Sequence, residues 1–79
     1  MSRHRPSHWY WSKPHHGVSH LICGHRMYPQ FTIEQHKTFV DAYMLTKGFT
    51  PSHEETFDTV VEAKVWLEQL AVEHIGDRT

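Results

Sequence analysis

The chain has 79 residues, of which 38% are hydrophobic and 13% aromatic, and its formal net charge is −1 at pH 7. A chain this short buries only about 60 to 65% of its unfolded surface, so it forms one small core and leaves little room for a large enclosed active site. The composition is too apolar for a disordered chain, and the apolar runs are too short to span a bilayer. We therefore expect one small folded domain that does not enter a membrane.

We predict that residues 1–7 form a flexible basic arm. The arm contains Arg3 and Arg5 but no apolar segment and no small-residue cleavage site, so we expect no secretion signal. The single cysteine, Cys23, cannot form an internal disulfide, which fits a reducing compartment. Together these features predict a cytoplasmic protein.

Two strands are predicted next. In "HWYWS", the alternation of side chains along a strand places Trp9 and Trp11 on one face and His8 and Tyr10 on the other. After the turn "KPHHG", the segment "VSHLICGHRMY" has enough β-branched and aromatic residues for a second strand. Gly24 within it indicates a bulge or a close backbone approach. The two strands alone would form a hairpin.

The segment over residues 33–47 permits two interpretations. As a helix, it would begin after Thr32 and end at Gly48. As a strand, "KTFVDAYMLT" has one face with Val40, Ala42 and Met44 and another with Phe39, Asp41, Tyr43 and Leu45. We favour the strand, because an isolated hairpin is marginally stable in water, whereas a third strand makes a sheet that a helix can cover.

The C-terminal helix is the clearest element in the sequence, and we expect it over residues 59–75. Thr59 and Glu62 have the spacing of a capping box, and Gly76 is placed to end the helix. One broad stripe should lie on the sheet, with Trp66 as its anchor. That stripe contains Val60, Ala63, Trp66, Leu67, Leu70, Ala71 and His74.

Taken together, these elements predict the α+β fold class. The domain covers residues 8–75 and is followed by a short tail at residues 76–79. It should contain a three- to four-stranded antiparallel sheet with one C-terminal amphipathic helix packed on one face. No internal repeat and no low-complexity linker divides it.

A second apolar seam runs along the side of the helix that should face water. Val61, Val65 and Val72 line up there beside Glu68. The loop "GFTPSHEE" could fold over these valines, or they could be ordinary exposed residues, which are common. Alternatively, the seam is a contact surface for another chain, and a second copy of it would suit a two-fold homodimer.

The stretch "HHGVSHLICGH" is the one metal-like group of residues. It contains ligands of the type that zinc prefers, namely His16, His20, Cys23 and His25. Their spacing matches no standard zinc motif, and on a strand His20 and Cys23 would point to opposite faces. We therefore expect no bound metal and no cofactor. Because no catalytic signature is present either, we also expect that the protein is not an enzyme.

Charge divides the chain into a basic and an acidic half. Residues 1–40 hold five Lys and Arg against one Glu, whereas residues 41–79 hold three against eight acidic residues. Basic and aromatic side chains in the first half could neutralise and stack on nucleic acid. The residues concerned are Arg3, Arg5 and Lys13 beside Trp9, Tyr10 and Trp11. The acidic half would oppose a phosphate backbone unless it faced away.

At "FDTVVEAKVWLEQ" the chain resembles small proteins of bacteriophages and mobile elements. In these proteins a few antiparallel strands with tryptophans precede a helix of the type F-x-T-x-x-E-A-x-x-W-x-E, and some anti-CRISPR and other host-takeover proteins share that layout. The resemblance in motif covers the last helix only, and it assigns no functional residues. What it implies is a binder that blocks or redirects a host component.

The interpretation that we favour is a non-enzymatic protein-binding module, of the kind that a bacteriophage uses to inhibit a host protein or defence complex in the bacterial cytoplasm. One candidate surface is the sheet face opposite the helix, which should bear Phe39 and Tyr43 together with one of two pairs, either Trp9 with Trp11 or His8 with Tyr10. The full set of candidate partner-binding residues is Trp9, Trp11, Phe39, Tyr43, Val61, Val65 and Val72. The alternative is nucleic-acid binding through Arg3, Arg5, Lys13 and Tyr10.

Overall fold

The computed structural model describes residues 8–24, 28–48 and 50–75. Within these residues the chain forms five strands and one helix. They are β1 (Tyr10–Trp11), β2 (Val18–Ile22), β3 (Gln30–Gln35), β4 (Val40–Thr46), β5 (Thr50–Phe57) and α1 (Val60–Ile75). The predicted arm at residues 1–7 and the predicted tail at residues 76–79 lie outside the described residues.

The five strands form one antiparallel sheet in the order β1-β2-β3-β4-β5, so each strand pairs with its neighbours in sequence. With the single C-terminal helix, this confirms the α+β prediction. The sheet has five strands and not the predicted three or four, because two segments form strands that the prediction did not include. The residues "QFTIEQ" form a separate strand, β3, and most of the expected loop "GFTPSHEE" belongs to β5.

The strand interpretation of the ambiguous segment is confirmed by β4. Its residues Val40, Ala42 and Met44 are buried, whereas Asp41 and Tyr43 on the other face are half-buried. This alternation gives the strand one face for the core and one for the opposite surface. The tight connection to β5 is closed by Thr46, whose hydroxyl donates to the Thr50 carbonyl at 3.2 Å.

The core lies between α1 and one face of the sheet. Phe31, Ile33 and Leu67 are its largest completely buried apolar side chains, so the helix is centred on Leu67 over β3 and β4. Trp66, the expected anchor, is only half-buried at the margin, where its ring lies 5.6 Å from that of Phe57. His74, expected on the buried stripe, is exposed.

The start of α1 agrees with the predicted cap. The Glu62 backbone N–H donates to the Thr59 hydroxyl oxygen at 3.2 Å, which satisfies one of the amides left unpaired in the first turn. The Thr59 hydroxyl in turn donates to the Glu62 carboxylate at 3.0 Å. A threonine cap of this kind stabilises a helix by about 1 kcal/mol.

The predicted valine seam is not continuous. Val61 and Val65 are 71% and 48% exposed, but Val72 is only 4% exposed and belongs to the core. No described segment lies over the two exposed valines, so the interpretation in which a loop covers the seam is wrong. Assigning Val72 to the water-facing side is equally wrong.

Val72 belongs to a core cluster that includes Trp9 and that Trp11 of β1 packs against. The Trp11 indole N–H donates to Glu68 of α1 at 2.7 Å, and the Lys64 ammonium lies 5.5 Å from the centroid of the Trp11 ring. The helix is therefore enclosed on its Glu68 side as well as on its sheet side. Val72 lies one turn beyond Glu68 on that same side, so it is withdrawn from water.

The buried and exposed valines of α1 permit a matched test. Val72→Ala should lower the free energy of unfolding by about 1.5 to 3 kcal/mol, because it removes two buried methyl groups and leaves a cavity. Val65→Ala, the same change on the same helix, should lower it by less than about 0.5 kcal/mol. Urea denaturation followed by tryptophan fluorescence measures both values. Equal losses would contradict the difference in burial.

Candidate functional site

The sheet face opposite α1 is covered by no element of the described residues, and we call it the open face. Strand alternation and the pairing register place one set of side chains on it. That set contains Tyr10, Val18, His20, Ile22, Gln30, Thr32, Glu34, Asp41, Tyr43, Leu45, Pro51 and Thr56. The open face is therefore the largest surface on which side chains of several strands are presented together.

The middle of the open face is a polar row across three strands. His20, Thr32 and Tyr43 are direct register partners on β2, β3 and β4. The His20 Nδ1 atom and the Thr32 hydroxyl share a hydrogen bond of 3.0 Å. Thr32 lies between these two neighbours and is only 1% exposed. This hydrogen bond therefore satisfies its buried hydroxyl group.

One end of the open face is acidic. Glu34 and Asp41 lie directly opposite each other on β3 and β4, and the Tyr43 hydroxyl donates to the Glu34 carboxylate at 2.5 Å. The His36 Nε2 atom lies 3.8 Å from a carboxylate oxygen of each residue. The His36 ring stacks on Phe39, with the two ring centroids 4.5 Å apart. The turn between β3 and β4 thus holds an imidazole over the carboxylate pair.

Burial and these carboxylates together raise the pKa of Tyr43. Burial raises the pKa of Tyr43 far above its ordinary value of 10.0, the hydrogen bond to Glu34 raises it further, and the negative charges of Glu34, Asp41 and Glu54 add to the effect. The hydroxyl therefore remains a proton donor throughout the physiological range. Its role on the open face is to order Glu34.

The other end of the open face is apolar. Tyr10, which is 58% exposed, pairs with Ile22, while Leu45 pairs with Gln30 of β3. Beside them lies a shallow cleft of about 240 Å³, whose lining includes His20, Ile22, Tyr28 and Gln30. Clefts of this size receive single side chains of a binding partner.

The outer edge of the sheet at β5 is poorly suited to pairing with another strand. Pro51 has no N–H to donate, and the register of the β4–β5 ladder shifts where His53 has a φ of 54°. Glu54 and Glu55 add two exposed charges. Proline, bulges and charged residues are the features by which edge strands avoid association. The open face, and not this edge, is therefore the better candidate surface.

The structure places the predicted partner-binding residues in different surroundings. Tyr43 is half-buried on the open face, and Phe39, 40% exposed, lies at its acidic end. Trp9 is only 3% exposed and belongs to the core. Trp11 is half-buried on the helix side, so of the two alternative pairs His8 with Tyr10 faces away from the helix.

The predicted nucleic-acid residues do not form a stacking surface in the described part of the chain. Tyr10 is exposed on the open face and Lys13 is exposed after β1, but Trp9 is buried and Trp11 is hydrogen-bonded to the helix. The stacking role predicted for Trp9 and Trp11 is therefore wrong, because Trp9 is in the core and Trp11 packs beside α1, whereas the role predicted for Tyr10 stays a prediction. Arg3 and Arg5 lie outside the described residues.

The metal-like residues are also separated. His16 lies in the turn after β1 with its ring 4.3 Å from that of His15, and His20 lies on the open face. Cys23 is buried among the core side chains, with its sulfur 3.8 Å from the Leu21 carbonyl oxygen. His25 lies outside the described residues, among which no group of three or more ligands could hold a metal.

Sequence reasoning missed most of the acidic and apolar ends of the open face. The missed residues include Val18, Ile22, Glu34 and His36, whereas Asp41 and Leu45 were placed on the strand face of Phe39 and Tyr43 but were not named as site residues. A usable signal was present in β3, where Phe31 and Ile33 alternate with Thr32 and Glu34. That period of two was obscured because the same residues also fit a helical capping pattern.

No family model matches the chain, and searches of curated proteins and of solved structures gave no match either. Among the described residues, no helix is long and apolar enough to cross a membrane.

The raised pKa of Tyr43 predicts a dependence of stability on alkaline pH. The folded state keeps this proton above about pH 10, where an unfolded tyrosine loses it, so the free energy of unfolding should fall as the pH rises through that value. Tyr43→Phe removes the group and should make the fall shallower. Urea denaturation at several values between about pH 8 and 11 measures the slope. The control is Tyr10→Phe, and a Tyr43→Phe slope equal to that of the unaltered protein would contradict the assignment.

Proposed function

We propose that the chain is a non-enzymatic protein-binding module that binds its partner through the open face. The observation that carries this proposal is that α1 covers one face of a five-stranded sheet while the other face presents aromatic and aliphatic side chains to solvent. An exposed apolar patch rimmed by polar groups is typical of a protein interface.

The size of the surface supports this proposal. The accessible surface of the protein is 5751 Å², and a standard interface of about 800 Å² per partner would use about a seventh of it. The central hydrogen bonds of Thr32 and Tyr43 fix the positions of their neighbours before any partner arrives. A preordered surface loses less side-chain entropy on binding.

In the finer form of the proposal, the protein acts by occupying a surface that its partner needs, as an inhibitor does. The resemblance of the helix motif to host-takeover proteins is the reason for this form. In this form of the proposal, the partner is a host protein or defence complex in the bacterial cytoplasm, and the protein itself is encoded by a bacteriophage. The choice of the open face as the binding surface does not depend on that resemblance.

Self-association is a second candidate, favoured by one observation. Val61 and Val65, one helical turn apart, are 71% and 48% exposed on the outer side of α1. With Val72 in the core, this patch is smaller than the predicted seam. A homodimer through it would be weak, because two valines per chain contribute little area against the cost of association.

A capture experiment tests the proposal. The protein is immobilised and exposed to a bacterial lysate, with and without nuclease treatment, beside the variants Leu45→Lys on the open face and Val65→Lys on α1. Binding through the open face predicts that Leu45→Lys reduces capture of specific proteins by about tenfold or more, because a charge replaces an apolar contact. Val65→Lys and nuclease treatment should leave capture unchanged.

Other results would contradict the proposal. Capture that disappears after nuclease treatment would indicate nucleic-acid binding, and capture that is equal for the unaltered protein and Leu45→Lys would exclude the open face. A lower mass of the Val65→Lys variant in light scattering would instead support the homodimer. Circular dichroism spectra of both variants would serve as the control that each variant is folded.

A further inference from the structure

Among the described residues, the charged side chains that the strand register places on the open face are acidic. Glu34 and Asp41 lie on it, and Glu54 is close enough to influence Tyr43. Of the described lysines, Lys37 and Lys47 are exposed in connections between strands, and Lys64 lies against Trp11 on the helix. Lys13 is exposed at the β1 side, where it lines a cleft with Val18 and His20 of the open face. A partner that covers the Glu34–Asp41 end of this face must therefore present positive charge to it.

The position that a cation would take is marked by His36. Its Nε2 atom lies 3.8 Å from both Glu34 and Asp41, and its side chain is 41% exposed on the turn between β3 and β4. An imidazole at this distance forms no short hydrogen bond to either carboxylate. A lysine ammonium or an arginine guanidinium would make short charge-assisted hydrogen bonds there.

A second copy of the chain does not satisfy this surface. If two open faces met with their acidic ends together, Glu34 and Asp41 of both chains would repel one another. If they met head to tail, these carboxylates would be buried against Ile22 and Leu45 of the other copy without a partner. A phosphate backbone would also be repelled by the acidic end.

From these observations, and resting on the proposed function, we infer that the open face recognises a basic protein segment in which a Lys or Arg is paired with an apolar anchor. The cation meets the Glu34–Asp41 pair and displaces the His36 ring, while the anchor enters the cleft between Ile22, Tyr28 and Gln30. Glu34 is four residues from Gln30 on β3, which separates the two contacts by about 13 Å.

Two synthetic peptides test this inference. Each has 14 residues with leucines placed along one side of an amphipathic helix, and one carries lysines at the polar positions where the other carries glutamates. They are titrated into the ¹⁵N-labelled protein, and amide chemical shifts are recorded. The lysine peptide should shift the amides of Glu34, Asp41 and Leu45, whereas the glutamate peptide should bind at least about tenfold more weakly.

A matched pair of double variants separates local from general charge effects. Glu34→Gln with Asp41→Asn should weaken the lysine peptide by about tenfold. Glu55→Gln with Glu73→Gln removes the same charge from exposed positions off the open face and should weaken it by less than about twofold. Equal weakening by the two variants, equal binding of both peptides, or binding of neither peptide would overturn the inference.

Failure of this inference is distinguishable from failure of the proposed function. If Leu45→Lys abolishes capture of a lysate protein but Glu34→Gln with Asp41→Asn does not affect it, the open face binds a protein whose charge is not recognised. If Leu45→Lys leaves capture unchanged, the open face is not the interface, and the proposed function fails with it.

Discussion

The packing of one helix on one face of the sheet is the constraint on which the other features depend. A helix of 16 residues is about 24 Å long and 10 Å wide, and it packs on β3, β4 and β5 while Trp11 of β1 reaches its Glu68 side. Leu67 sits at the centre of this contact, completely buried with Phe31 and Ile33. Because the described chain has no second helix, the opposite face of every strand remains in contact with solvent.

That exposure explains the chemistry of the open face. A solvated sheet face needs polar side chains, and here they are arranged in register: His20 with Thr32, and Tyr43 with Glu34. Half-buried apolar residues such as Ile22 and Leu45 remain at the other end, where no described element lies over them. The combination of ordered polar groups and uncovered apolar side chains is what the proposed protein-binding function uses.

Much of the fold could be predicted from local patterns, and the failures have physical causes. The capping pair Thr59–Glu62 and the alternation in β4 depend on neighbours in sequence, so α1 and β4 were predicted correctly. The strand β5 has mostly exposed side chains and is ordered by backbone pairing to β4, which leaves no alternation to detect. Val72 is buried in a core cluster with Trp9, and the periodicity of one helix cannot show such a contact with a distant part of the chain.

The central claim, that the open face contacts a protein, is tested most directly by site-specific photo-crosslinking in a bacterial lysate. A photoreactive amino acid is introduced at Leu45 on the open face or at Val65 on the outer side of α1, and the products are separated by mass after nuclease treatment. The account predicts discrete protein adducts from position 45 and none from position 65. Adducts from position 65 alone, or the same adducts from both positions, would contradict it.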